Sequence, residues 1–128
     1  MSSKKEGINA ERELIHMFWK KDWAAIRVAG SGSSRYPSPD ILAGNNLRKL
    51  AIECKSVSGI NKYLASEAIS QLKIFSKRFG AEPWIGIRFD NLGWFLLSLE
   101  DIIKVGKSFK ISKKIAEERG LLFSELIS

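Results

Sequence analysis

With 128 residues, 45% of them hydrophobic, the chain suffices for one compact domain that buries its core without covalent staples. Its 21 lysines and arginines against 14 acids give a net charge of +7, which favours a polyanionic partner. A single cysteine excludes an intrachain disulfide, no signal-like stretch opens the chain and no apolar run reaches membrane length, so a cytoplasmic protein is expected.

Residues 6–21 read as a helix, with Ile8, Leu14, Ile15 and Phe18 at helical spacing. Trp23 to Ala29 reads as a first strand, and Gly30 to Ser38 as a loop of Gly, Ser, Arg, Tyr and Pro. A hairpin of residues 40–44 and 48–56 follows, turning at Gly44-Asn45-Asn46. Ser66 to Phe79 reads as a second long helix stopped by Gly80, with Ile69, Leu72, Phe75 and Phe79 on one side. Residues 84–89 and 93–97 form a second predicted hairpin around Asp90-Asn91, and Leu99 to Val105 a short helical turn. The end reads as a strand at 108–111 and helical pieces at 113–119 and 121–127. This order predicts an α/β fold, a mixed sheet with helices on its faces.

Side chains alternate along a strand, so Leu50, Ile52 and Cys54 share one face of the first hairpin while Glu53 and Lys55 share the other. The hairpin can bring Asp40 to that pair. Two carboxylates and an ammonium at a sheet edge suit a hard divalent cation and a phosphodiester, although Glu-x-Lys alone is common and reads first as a surface ion pair. Glu11 adds to the picture. At about 100° per residue it falls at about 300° from Ile8, between Phe18 and Ile15 in the apolar stripe. A carboxylate there needs a cation or a salt bridge, for which Lys55 and Arg12 are candidates. Glu13 falls on the opposite, solvated face, where Glu13→Gln should change stability by under about 0.5 kcal/mol. In the loop, Ser31 and Arg35 are candidate DNA contacts, since glycine lets N–H groups approach a phosphate and serine offers a hydroxyl. His16, the only histidine, reads as structural, and the tryptophans as core or interface. Trp94 to Leu97 is apolar on both faces, which suits a central strand or an edge covered by a second subunit.

The chain resembles the PD-(D/E)xK nuclease superfamily and, within it, the archaeal Holliday-junction resolvases, over nearly its whole length. The resemblance rests on residues 7–14, Ser31-Gly32-Ser33, Pro39-Asp40-Ile41, Glu53-Cys54-Lys55-Ser56 and residues 75–80. It implies a restriction-endonuclease-like fold with about five strands, occupying residues 1–128 as a single nuclease domain. It also implies a homodimer that cuts two opposing strands of four-way DNA junctions with Mg2+, for which Mn2+ substitutes. Glu11, Ser31, Asp40, Glu53 and Lys55 match the family's catalytic positions. On that resemblance Asp40, Glu53, the backbone carbonyl of Cys54 and Glu11 hold the metal, and Lys55 orients the nucleophile. Lys4, Lys5, Arg12, Arg27 and Arg35 grip phosphates alongside Ser31. Related nucleases often carry a glutamine on the second long helix; the aligned position holds Ala68, with Gln71 one turn on. Another nuclease of the superfamily, or a non-catalytic DNA-binding module of the same fold, remains an alternative reading.

Overall fold

The computed structural model describes residues 3–30 and 35–128. Helix α1 (Ser3–Trp19) leads into β1 (Ala24–Arg27), β2 (Ile41–Gly44), β3 (Lys49–Val57) and β4 (Asn61–Ala65). Helix α2 (Ser66–Phe79) is followed by β5 (Glu82–Phe89), β6 (Gly93–Leu97) and a 3-10 turn at Leu99–Asp101. Strands β7 (Ile103–Val105) and β8 (Ser108–Ser112) and the short helices α3 (Lys113–Arg119) and α4 (Phe123–Leu126) complete the chain.

Five strands form one mixed sheet in the order β1-β2-β3-β5-β6, as the α/β reading predicts. All its neighbours are antiparallel except β3 and β5, which run parallel; β4 and α2 make the crossover between them. A second, three-stranded sheet, β4-β8-β7, contains the strand read at 108–111 as β8, while β4 and β7 have no counterpart in the sequence reading. It takes residues 103–105, expected in a helical turn, into β7 instead.

Helices cover both faces of the main sheet. On one face Leu14 and Phe18 of α1 join Ile41, Leu50, Ile52, Trp94, Leu96 and Leu126 in one core. On the other, Ile69 and Leu72 of α2 join Ala51, Ile85, Ile87, Phe89, Leu97 and Ile111. Gly80 ends α2 at φ 81°, a left-handed conformation that glycine adopts without a Cβ penalty, and its N–H donates to the Ser76 carbonyl. Asn91 makes the β5–β6 turn at φ 68°, as the Asp-Asn pair predicts.

Residues 94–97 are buried within their own chain. β6 is the last strand of the sheet, yet its outer edge is not bare: Leu96 and Leu121 exchange backbone hydrogen bonds of 2.8 Å each. The C-terminal segment thus covers the edge that the sequence reading assigned either to a central strand or to a second subunit. Arg48 fixes that segment from across the sheet. Its guanidinium forks onto Glu82 at 2.8 and 2.9 Å and donates to the Leu126 carbonyl.

Candidate active site

The β2–β3 hairpin places Asp40 as the sequence reading requires. Ile41 stands opposite Ile52, which sets Asp40 opposite Glu53. The Asp40 backbone is held on both sides: its N–H donates to the Ile52 carbonyl at 3.0 Å and its carbonyl accepts from Val28 at 2.8 Å. Its carboxylate accepts the Cys54 N–H at 2.8 Å, which aims the side chain across β3. Glu53 is largely buried, and Lys55, two residues on and on the same face, brings its ammonium to 4.0 Å from the Glu53 carboxylate.

Glu11 arrives from α1. The buried positions of that helix are Ala10, Leu14 and Phe18, so the stripe is centred about 60° away from Glu11 at about 100° per residue. Glu11 therefore sits at the rim of the stripe rather than its middle, leaning over the end of the sheet. Its salt-bridge partner is Arg27 of β1, whose Nε donates at 2.9 Å, and not Lys55 or Arg12. Glu11, Arg27, Asp40, Glu53, Cys54 and Lys55 all line one cleft of about 510 Å³. The cleft also takes in Ser38, Lys62, Ala68 and Gln71.

Three carboxylates share this cleft, and Asp40 disfavours charge on both glutamates. The Glu53 carboxyl is pushed up to about 7, chiefly by burial and then by Asp40, with Lys55 opposing and Glu11 adding to the rise. Burial, followed by Asp40, also raises Glu11, while Arg27 and Lys55 pull it down. Burial holds the Cys54 thiol well above its ordinary range, so no thiolate is available there and only its backbone carbonyl is a metal donor. The donors are hard oxygens, which fit Mg2+ or Mn2+ rather than a soft metal. Among the described residues no three carboxylate, histidine or cysteine side chains form a complete ligand cluster. Partial protein ligation is the usual arrangement for Mg2+, which keeps waters and substrate phosphate oxygens in its other positions.

The remaining sequence candidates divide. Ser31 and the Lys4 side chain lie outside the described residues. Lys5 and Arg12 are exposed on α1 and do not line the cleft, nor does exposed Arg35, whose guanidinium lies 5.7 Å from the Tyr36 ring centroid. His16 is exposed and also outside the cleft lining. Gln71 and Ala68 both line the cleft, with the Gln71 amide donating to Glu67 at 3.1 Å. Sequence reasoning passed over Lys62 and Ser38. Lys62 belongs to β4, whose five residues carry too short an alternation to announce a strand.

Glu13 is less idle than its solvated position predicts. It accepts from Arg88 Nε and from Trp94 Nε1, each at 2.8 Å, tying α1 to β5 and β6. Arg88 and then the Trp94 N–H pull its carboxyl below the ordinary range, against some burial. Trp94 is buried, so its N–H has no water to turn to. Glu13→Ala should therefore cost about 1–2 kcal/mol in urea denaturation, with cleavage retained once the protein is folded. A cost indistinguishable from zero would mean that both donors find other partners.

Comparison with known proteins agrees with this geometry. The family model described as "Archaeal holliday junction resolvase (hjc)" matches residues 2–128. The crossover junction endodeoxyribonuclease Hjc of Archaeoglobus fulgidus is 38% identical over 129 residues, covering 95% of each chain. The protein of the same name from Methanocaldococcus jannaschii is 34% identical over 115 residues, 87% of this chain and 79% of the relative. The solved structure of Archaeoglobus fulgidus Hjc, described as a Holliday junction resolvase, superposes with a TM-score of 0.86 at 35% identity, covering 94% of both chains.

Proposed function

The chain belongs to the archaeal Holliday junction resolvase family, and from that membership we propose that it is an endonuclease resolving four-way DNA junctions by hydrolysing phosphodiester bonds in two opposing strands. Residues 1–128 act as a single nuclease domain on this reading. The observation that carries it is the convergence of Asp40, Glu53 and Lys55 on one cleft, with burial and the neighbouring Asp40 raising the Glu53 carboxyl to about 7 despite Lys55. The family acts with a divalent metal; Mg2+ is the proposed ion, with Mn2+ as its substitute. Asp40, Glu53 and the Cys54 carbonyl would hold it, with Glu11 at the rim. When bound, the ion supplies Lewis-acid polarisation of the scissile phosphate and an acidified water.

The chain's own residues do the rest. The Cys54 N–H holds the Asp40 carboxylate against β3. On this reading the Lys55 ammonium, 4.0 Å from Glu53, donates to the attacking oxygen and to the phosphoryl oxygens as charge builds on them. Arg27, bound to Glu11, adds positive charge to one wall of the cleft. Ser31 and the cations Lys4, Lys5, Arg12 and Arg35 are proposed to hold flanking backbone phosphates. Comparing cleavage of a four-way junction, a linear duplex and a flap by the purified protein tests this reading. Paired nicks in the junction alone are expected; equal cutting of duplex would point to another nuclease of the superfamily.

The state of Glu53 gives a pH dependence. Its carboxyl is raised above its ordinary value of 4.5 to about 7, so the folded metal-free protein keeps a proton that the unfolded chain has lost between those values. That contribution to stability is present below about pH 4.5 and lost as pH rises through about 7, an effect on the order of 3 kcal/mol. A divalent ion needs the ionised form. Mg2+ should therefore raise the melting temperature more at pH 8 than at pH 6; the reverse order would remove Glu53 from the ligand set.

A homodimer is also proposed, because two equivalent sites suit two equivalent strands. Its surface is not the Trp94–Leu97 strand, which is buried within its own chain. Apolar side chains lie exposed around α2, where Ile74 and Phe79 are 45% and 48% exposed and Ile26 of β1 is 59% exposed. Two shallow apolar grooves meet at Phe79, one floored by Leu42 and Ala43, the other lined by Tyr36, Pro37 and Phe75. Contiguous apolar surface of this kind marks protein interfaces. Phe79→Asp should convert a dimer to a monomer in light scattering at micromolar concentration, and dimers that persist would place the interface elsewhere. Among the described residues no helix is long and apolar enough to cross a membrane, and a cytoplasmic site of action on chromosomal DNA is proposed.

A further inference from the structure

Lys62 occupies an uncommon place for a lysine. It stands opposite Ile111 in the β4–β8 ladder, and Leu64 stands opposite Phe109, so these four share one face of the small sheet. Ile111 is fully buried and Leu64 nearly so. Lys62 thus points inward, at the end where β4 overhangs the active-site cleft, and it is only partly exposed. On such a face a lysine lays its stem along apolar neighbours and keeps its ammonium toward open space, here the cleft that Lys62 lines. Among the described residues it forms no salt bridge. Of the other cations of the cleft, Arg27 is bound to Glu11 at 2.9 Å, and Lys55, 4.0 Å from Glu53, is assigned above to the scissile phosphate.

An ammonium without a salt bridge beside a nuclease cleft has a natural partner in the substrate. A DNA strand that presents one phosphate to Asp40, Glu53 and Lys55 must bring further phosphates past the same carboxylates, and each adds to the negative charge there. Arg27 and Lys62 both line that cleft, and of the two only Lys62 has its ammonium uncommitted. We propose that Lys62 is a positioning residue, its ammonium holding a phosphate of the cleaved strand adjacent to the scissile one. This rests on the endonuclease reading above. Correct placement of that phosphate sets the in-line geometry at the scissile bond, so the contact matters more in the cleavage step than in junction affinity, which many cations share.

The test is single-turnover cleavage of a four-way junction with saturating Mg2+ by wild type, Lys62→Gln and Lys62→Arg. Junctions carrying one neutral methylphosphonate, in turn at each phosphate flanking the mapped cut, supply the second axis. Lys62→Gln should slow cleavage about 10–100-fold, the weight of one charged hydrogen bond. Metal-free junction affinity should change by less than about threefold, since one phosphate contact among many is lost. Lys62→Arg should recover most of the rate. At one flanking position the methylphosphonate should slow wild type to the Lys62→Gln level and slow Lys62→Gln no further, a result that a purely structural lysine would not produce. Should Lys62→Gln fold poorly, Lys62→Met keeps the apolar stem and takes its place in the same comparison. A neutral variant that cuts at the wild-type rate, or losses that multiply at every position, would overturn the inference alone. A wild type that cuts no junction would overturn the endonuclease reading and the inference with it.

Discussion

Asp40→Ala and Glu53→Ala should each reduce junction cleavage by at least about a thousandfold, in line with removal of a charged group acting on the transition state. Junction binding in the absence of metal should survive within a few-fold, because affinity comes mainly from cations on backbone phosphates and neither change removes one. Asp40 also accepts the Cys54 N–H at 2.8 Å, so Asp40→Asn, which keeps an acceptor there, separates loss of chemistry from loss of local structure. Glu53→Ala carries a second expectation with the opposite sign. Glu53 is buried beside Asp40 and Glu11 and resists ionisation. Its removal should raise the melting temperature of the metal-free protein at pH 8, a cost to stability that the site tolerates for function. Nicking assays and gel shifts on the same junction, with thermal melts beside them, read all three outcomes. Cleavage within tenfold of wild type by either alanine variant would remove that residue from the mechanism.

Glu11→Gln should lower cleavage by about 10–100-fold, the range for an outer partner that orients a metal site. Glutamine keeps an acceptor for Arg27 Nε, so the link from α1 to β1 is retained while the charge beside Asp40 and Glu53 goes. The half-saturating Mg2+ concentration should rise with the loss of rate. Glu13, two residues on, holds Arg88 and Trp94 instead, so its replacement acts on stability. Should the Glu13 variant be the inactive one and Glu11→Gln the active one, the assignment of α1's two rims is reversed and the family carry-over at this helix fails.

The centre of the site was legible because it is local. Pro39-Asp40, a turn, and Glu53-x-Lys55 lie within one hairpin, and strand alternation alone puts the two charged residues on one face. Helical phase likewise brought Glu11 to the sheet, although Ala10, which carries no strong signal, shifts the buried stripe toward Leu14 and away from it. What stayed hidden depends on distant partners. Strands β4 and β7 are short, and neither has a pattern that stands without β8 beside it. Glu13 gains its role from Arg88 and Trp94, 75 and 81 residues away, a pairing that periodicity on one helix cannot reveal. Trp94 to Leu97 is apolar on both faces because α1 and the C-terminal helices cover it from either side, so burial on two faces did not imply a central strand or a partner.

The most direct measurement of the central claim is strand-resolved cleavage of a synthetic four-way junction, with Mg2+ and with the metal chelated. The predicted result is paired cuts in two opposing strands with Mg2+, none after chelation, and none from Glu53→Ala under either condition although it still binds the junction. Cleavage that persists without a divalent ion, or a junction left whole by wild type in Mg2+ while it is bound, would contradict the account.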